Sequence, residues 1–153
     1  MFEIRKPLAM LTIAGLLVAG QALAGSGIER LTSDHSIDEV DQRLRAALEA
    51  RGMTLVTVVD HAANAESVEL SLPPTRTFVF GNPQVGTPMM QCQGSVALDL
   101  PQKLLIRQTD EGTLLEWNHP DYLAQRHDLS DCDLPLDDVA EALAGIAAEA
   151  AGP

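Results

Sequence analysis

The sequence predicts an α+β two-layer sandwich, with two amphipathic helices on one face of a mainly antiparallel sheet. Three observations carry this reading. Residues 37–48 and 139–150 repeat apolar side chains at helical spacing, short β-rich segments lie between them, and two of those segments flank the turn Asp110-Glu111-Gly112. Strands grouped together, with helices set apart from them, are the pattern of α+β packing.

The chain opens with Arg5 and Lys6, followed by an apolar run over residues 8–20 in which Thr12 is the one polar side chain. Ala22 and Ala24 then supply the small-residue pattern that a signal peptidase reads. A membrane span needs about 20 apolar residues, more than this run provides. Residues 1–24 are therefore expected to be a cleavable signal peptide, and residues 25–153 a single α+β domain, periplasmic or secreted.

Residues 28–33 read as a first strand. Ser36-Ile37-Asp38-Glu39 forms a capping box, and Ile37, Val40, Leu44, Ala47 and Leu48 then fall on one helical face. Glu39 with Arg43, and Asp41 with Arg45, are i,i+4 pairs on the wet side. Gly52 closes the helix as a left-handed residue would. Residues 53–60 carry apolar side chains on both sides and read as a central strand.

Residues 61–68, rich in alanine, predict one or two helical turns, and Pro73-Pro74 breaks the pattern. Residues 76–80 predict a strand stopped by Gly81-Asn82-Pro83. Thr87-Pro88 reads as a helix start, because proline suits the first helical position, with a short helix over residues 89–93. Residues 103–109 and 113–118 form a hairpin, with Leu115 and Trp117 on one side and Leu114 and Glu116 on the other. Pro120 opens a short helix through His127. Pro135 opens the last helix, whose stripe is Val139, Leu143, Ile146, Ala147 and Ala150. Apolar residues on both sides of residues 53–60 and 103–109 point to a homodimer through the uncovered sheet face.

The full chain carries 10 Lys and Arg against 22 Asp and Glu, a net charge of −12. Removal of residues 1–24 leaves 8 and 21, a net charge of −13. This acidity argues against nucleic acid, whose affinity comes largely from Lys and Arg on phosphates, and against anionic membrane surfaces after cleavage. Cys92 and Cys132 are the two cysteines. In an oxidising compartment they read as a disulfide; two thiolate ligands to a metal are the other reading.

Several segments taken together carry a resemblance: residues 60–65 (Asp60-His61-Ala62-Ala63-Asn64-Ala65), Phe80-Gly81-Asn82-Pro83 with Gly86-Thr87-Pro88, Ala97-Leu98-Asp99-Leu100-Pro101, and Asn118 with Pro120, Tyr122-Leu123-Ala124 and Arg126-His127. From about Ser33 to Ala150 the chain resembles the bacterial and archaeal family called domain of unknown function 302. The resemblance implies a β-α-β(4)-α fold of the TATA-binding-protein-like type. It transfers no activity, cofactor or catalytic residue. His119 stands where the family pattern leads one to expect Asp or Asn, and the resemblance associates the cysteine pair with exported members.

Three functional readings follow. The first is a non-enzymatic module that binds a small ligand or a protein partner through His61, Asn82, Gly86, Thr87, Asp99, Asn118 and Tyr122, polar or turn residues at strand ends and in loops. The segment from Gly81 to Thr87 joins a strand to a helix start, where free amides can hold an anion; a tight turn needing two glycines is the plainer reading, since the Walker lysine is missing. The second is a soft-metal site of copper type on His61, Met89 and His127, drawn from a set that also holds Met90, Cys92 and His119. No spacing groups these donors, and packing methionines with surface histidines are the plainer account. The third is an enzyme with a pocket around Asn82, Asp99, Asn118 and Tyr122. A Ser or Cys nucleophile needs an adjacent base and an oriented partner; Cys92 could be one with His61 or His127 near it, and is unavailable if disulfide-bonded. No cofactor is called for.

Overall fold

The computed structural model describes residues 27–153; the expected signal peptide lies outside them. The elements run β1 (Ile28–Ser33), α1 (Ile37–Ala50), β2 (Thr54–Asp60), α2 (His61–Glu66), β3 (Thr75–Gly81), α3 (Pro83–Cys92), a 3-10 helix (Gly94–Leu98), β4 (Gln102–Thr109), β5 (Gly112–Asn118), α4 (Pro120–Arg126) and α5 (Leu136–Ala151). All strand pairs are antiparallel and form one sheet in the order β1-β5-β4-β3-β2.

Helix α1 begins where the capping box puts it. The Ser36 side chain accepts from the Glu39 amide, and the Glu39 carboxylate accepts from the Ser36 amide at 3.0 Å. Its apolar stripe, Ile37, Val40, Leu44, Ala47 and Leu48, is buried. Helix α5 buries Leu143, Ile146, Ala147, Ala150 and Ala151 against it. The two helices cover one sheet face, from which Phe78, Phe80, Leu104, Ile106, Leu115 and Trp117 point inward. Burying each such side chain stabilises the fold by about 1.5–3 kcal/mol, so this layer dominates the fold's stability.

Among the described residues, no helix lies over the centre of the other sheet face. There Glu116 receives hydrogen bonds from Arg30 at 2.8 Å and Arg107 at 2.7 Å, among the half-buried Leu105 and Leu114. A second, smaller core lies at one end of the sheet, where Met89, Val96, Leu123 and Leu129 are buried together. Cys92 and Cys132 border it at disulfide distance, with Cα atoms 6.3 Å apart.

Three elements differ from the sequence expectation, one of them the 3-10 helix over Gly94–Leu98, where the sequence reading places no element. The strand over residues 53–60 is an edge of the sheet, not its centre. Its two-sided apolar pattern has a local cause: the register shifts between Leu55 and Thr57, so Leu55 and Val58 both pack on the core while Val56 is turned away, 60% exposed. The third helix begins at Pro83 rather than near Thr87. Asn82 caps it, its side chain accepting from the Gln84 amide at 2.9 Å, and Pro83 takes the first helical position. Pro88, expected at the start, lies inside the helix.

Candidate functional site

The early start of α3 shapes a concavity. With Asn82 and Pro83 opening the helix, residues 83–90 become one wall of an apolar groove of about 470 Å³. The opposite wall is the first half of α5, with Val139, Ala142 and Leu143; the floor is made by Met53 and Val56, Phe80, and Leu100 and Pro101. Met89 and Met90 line it too, Met89 buried and Met90 38% exposed. The polar lining is sparse: Thr54, Asn82, Thr87, Gln102 and Asp138. An apolar body with a few placed polar groups is the usual make-up of a small-molecule site. The segment from Gly81 to Thr87 is no anion-holding loop, since the amides of Val85 and Gly86 both donate to the Asn82 carbonyl at 3.0 Å.

A second constellation lies beside the small core. The 3-10 helix closes with the Asp99 amide on the Val96 carbonyl at 3.0 Å, and α4 closes with the His127 amide on the Leu123 carbonyl at 3.0 Å. Asp128 then takes a left-handed conformation (φ 53°), and the Leu129 amide returns to the Ala124 carbonyl at 2.9 Å. These two turns bring together side chains distant in the chain. Ser95 Oγ lies 3.0 Å from His127 Nδ1, and His127 Nε2 lies 2.5 Å from Asp99 Oδ2. Arg126 Nε is 3.3 Å from the same Asp99 oxygen, and Arg126 Nη1 donates to the Tyr122 hydroxyl at 3.1 Å. That hydrogen bond, and then the Asp99 charge, push the Arg126 guanidinium further up from its ordinary value. His127 is buried, 6% exposed, and both of its ring nitrogens are engaged.

The residues singled out from sequence thus fall into two groups and two outliers. Asn82, Gly86, Thr87 and Met89 line the groove. Asp99, Tyr122 and His127 share the polar chain. His61 opens α2 and pairs with Thr77 Oγ1 at 2.8 Å. Asn118 ends β5, paired in register with Ile28 on the edge strand. The soft donors His61, Met89 and His127 therefore each sit in different company. Among the described residues, no group of three or more His, Cys, Asp or Glu is arranged to hold a metal ion. Sequence reasoning missed Ser95 and Arg126, which no spacing rule connects to residues about 30 positions away. It read Val139 and Leu143 as core alone, although they also form the groove wall.

A one-sided helical layer on a five-stranded antiparallel sheet, with short helices inserted around the strand ends, defines the fold class as α+β. The chain belongs to the family Domain of unknown function DUF302, whose model matches residues 29–150. A crystal structure of an uncharacterized conserved DUF302 protein from Bacillus stearothermophilus shares the fold, with a TM-score of 0.73 and 19% identity over 82% of this chain and 98% of that one. The chain is also 41% identical over 109 residues to Fluoride-specific ion channel FluC 1 of Brucella suis biovar 1 (strain 1330), covering 71% of this chain and 43% of that protein. Fluoride-specific ion channel FluC 2 of Brucella melitensis biotype 1 matches at the same identity, with 40% of its length covered. The chain therefore spans less than half the length of the curated relatives it matches. Among the described residues, no helix is long and apolar enough to cross a membrane.

Proposed function

We propose that this domain is an exported ligand-binding module, which takes a small molecule with an apolar body into the groove between α3 and α5. The observation that supports the reading is the groove itself: walls of Val85, Met90, Val139, Ala142 and Leu143 over a floor of Phe80 and Leu100, with few polar groups among them. Asp138 is the one charged residue in the lining, and the chain as a whole carries −12. A neutral or cationic end group therefore suits the site better than an anionic one.

The test compares dodecyltrimethylammonium with dodecanoate, both below micelle-forming concentrations, by the shift each produces in the thermal midpoint. Binding to the native state alone adds about 2.7 kcal/mol at a hundredfold excess over Kd. The cation should raise the midpoint more than the anion. Ala142→Phe, which fills the groove, should abolish the response, and Asp138→Asn should narrow the difference between the two probes. No shift with either amphiphile, in protein that folds normally, refutes the reading.

A soft-metal reading has one specific observation in its favour: Met53, Met89 and Met90 line the same groove, and thioethers suit Cu(I). A Cu(I) titration that raises the midpoint in wild-type protein and not in Met90→Leu would favour it. The relatives named as fluoride channels match this chain over less than half their length. We take the present domain as the counterpart of a part of those proteins outside the pore. A homodimer through the uncovered sheet face belongs to the same proposal, and Leu105→Glu should then halve the mass found by light scattering.

A further inference from the structure

The geometry points to Ser95, His127 and Asp99 as a nucleophile, its base and an orienting carboxylate, giving this domain an acyl-transfer activity towards small esters. The inference is independent of the ligand reading, since none of the three residues lines the groove. Each part has the required relation to the next. The Asp99 carboxylate, 2.5 Å from His127 Nε2, holds the imidazole proton on that nitrogen. That leaves the Nδ1 lone pair 3.0 Å from Ser95 Oγ, placed to accept the hydroxyl proton. The ring is used with its nitrogens exchanged relative to the familiar serine-hydrolase arrangement, in which Nε2 faces the serine. Either nitrogen serves as a base once the other carries the proton.

The three differ in exposure as the roles demand. His127 is buried against the small core, and the Asp99 side chain is 17% exposed and further held by Arg126, whereas Ser95 lies on an exposed turn. A Cβ added at the preceding Gly94 would likewise meet nothing within 4 Å. Leu98, one 3-10 turn further on, is 76% exposed, the most exposed large apolar side chain among the described residues. It offers a short acyl chain an apolar surface. An exposed serine beside one exposed apolar side chain suits a small, activated ester.

The step balances without a further reagent. The Ser95 oxygen forms a bond to the ester carbonyl carbon while its proton passes to His127 Nδ1. The carbon–oxygen bond to the leaving alcohol breaks, and that alcohol departs with the electron pair and takes the proton from Nδ1. Water then attacks acyl-Ser95 by the same route and restores the hydroxyl.

The experiment treats intact protein with a fluorophosphonate probe, maps the adduct by mass spectrometry, and follows p-nitrophenol release from p-nitrophenyl acetate. One adduct on Ser95 is expected, absent in Ser95→Ala, with the labelling rate cut about 10²–10⁴-fold in Asp99→Asn. No adduct on Ser95 overturns the proposal, as does an unchanged rate in folded Asp99→Asn. Should that variant fail to fold, His127→Gln decides. Labelling of Ser95 at the wild-type rate in folded His127→Gln marks an ordinary serine, and sinks the idea; a rate cut about 10²–10⁴-fold supports a histidine base.

Discussion

The Ser33 hydroxyl donates to the backbone carbonyl of Ala151 at 2.5 Å, tying the end of the first strand to the last turn of α5 across 118 positions of the chain. Ser33 is buried, 4% exposed, and its oxygen also accepts from the His35 amide at 3.2 Å. Replacing it with alanine leaves a donor and an acceptor short of a partner where water has poor access. Ser33→Ala should cost about 1–3 kcal/mol, read as a lower urea midpoint with an unchanged slope.

The uncovered sheet face supplies a pH dependence with a definite sign. Burial alone would raise the Glu116 carboxyl, but the hydrogen bonds from Arg107 and Arg30 reverse this and hold it below its ordinary value of 4.5. A carboxyl lowered in the folded state contributes stability that is present above its unfolded pKa and lost as pH falls through the folded one. Stability measured from about pH 5 downward should therefore fall more steeply in wild-type protein than in Glu116→Gln. Parallel profiles for the two proteins would contradict this account.

The cysteines provide a third test. A Cys92–Cys132 bond closes a loop of 40 positions and should stabilise the fold by about 4 kcal/mol, an upper figure in the chain-entropy model. Unreduced protein should be lighter than reduced protein by two hydrogen atoms. Adding a reductant should lower the denaturation midpoint, and Cys92→Ala with Cys132→Ala should behave like the reduced form.

Two backbone positions should respond in opposite directions. Glu69 adopts φ 60° at the end of α2, a conformation that costs a side-chain-bearing residue roughly 1 kcal/mol, so Glu69→Gly should raise the thermal midpoint. Gly112 adopts φ 121° in the β4–β5 hairpin, and a Cβ there would run into the Ser33 carbonyl. Gly112→Ala should lower stability by roughly 1–3 kcal/mol from the backbone conformation alone, and by more if β1 must shift.

What the sequence makes legible here is what neighbouring residues decide. The Ser36–Glu39 box and the stripe from Ile37 to Leu48 set α1, and the alternation across Asp110-Glu111-Gly112 sets the hairpin, because both signals sit within a few positions. The start of α3 is ambiguous at that range: Asn82-Pro83 stops a strand and opens a helix with the same chemistry. The ends of α2 and α4 carry Glu69 and Asp128 where a glycine would have announced the turn. Asp99 and His127 are each visible as candidates, yet their contact, and the place of Ser95 within it, depends on how the 3-10 helix and α4 dock. No local pattern encodes that docking. The groove is hidden for a similar reason, since a helix stripe looks the same whether it meets a sheet or borders a gap.

The two cores described above are separate clusters, one between the sheet and α1 with α5, the other around Met89, Leu123 and Leu129. The chain thus buries two apolar units of unequal size, and the smaller is the one the Cys92–Cys132 link borders. Met89 and Leu100 belong to that smaller unit and also line the groove, as do Leu143 and Phe80 of the larger one. A molecule seated there would touch both units at once. Its binding energy would therefore suppress local opening of the small unit as well as global unfolding, and amide hydrogens around α4 would exchange more slowly although the ligand never reaches them.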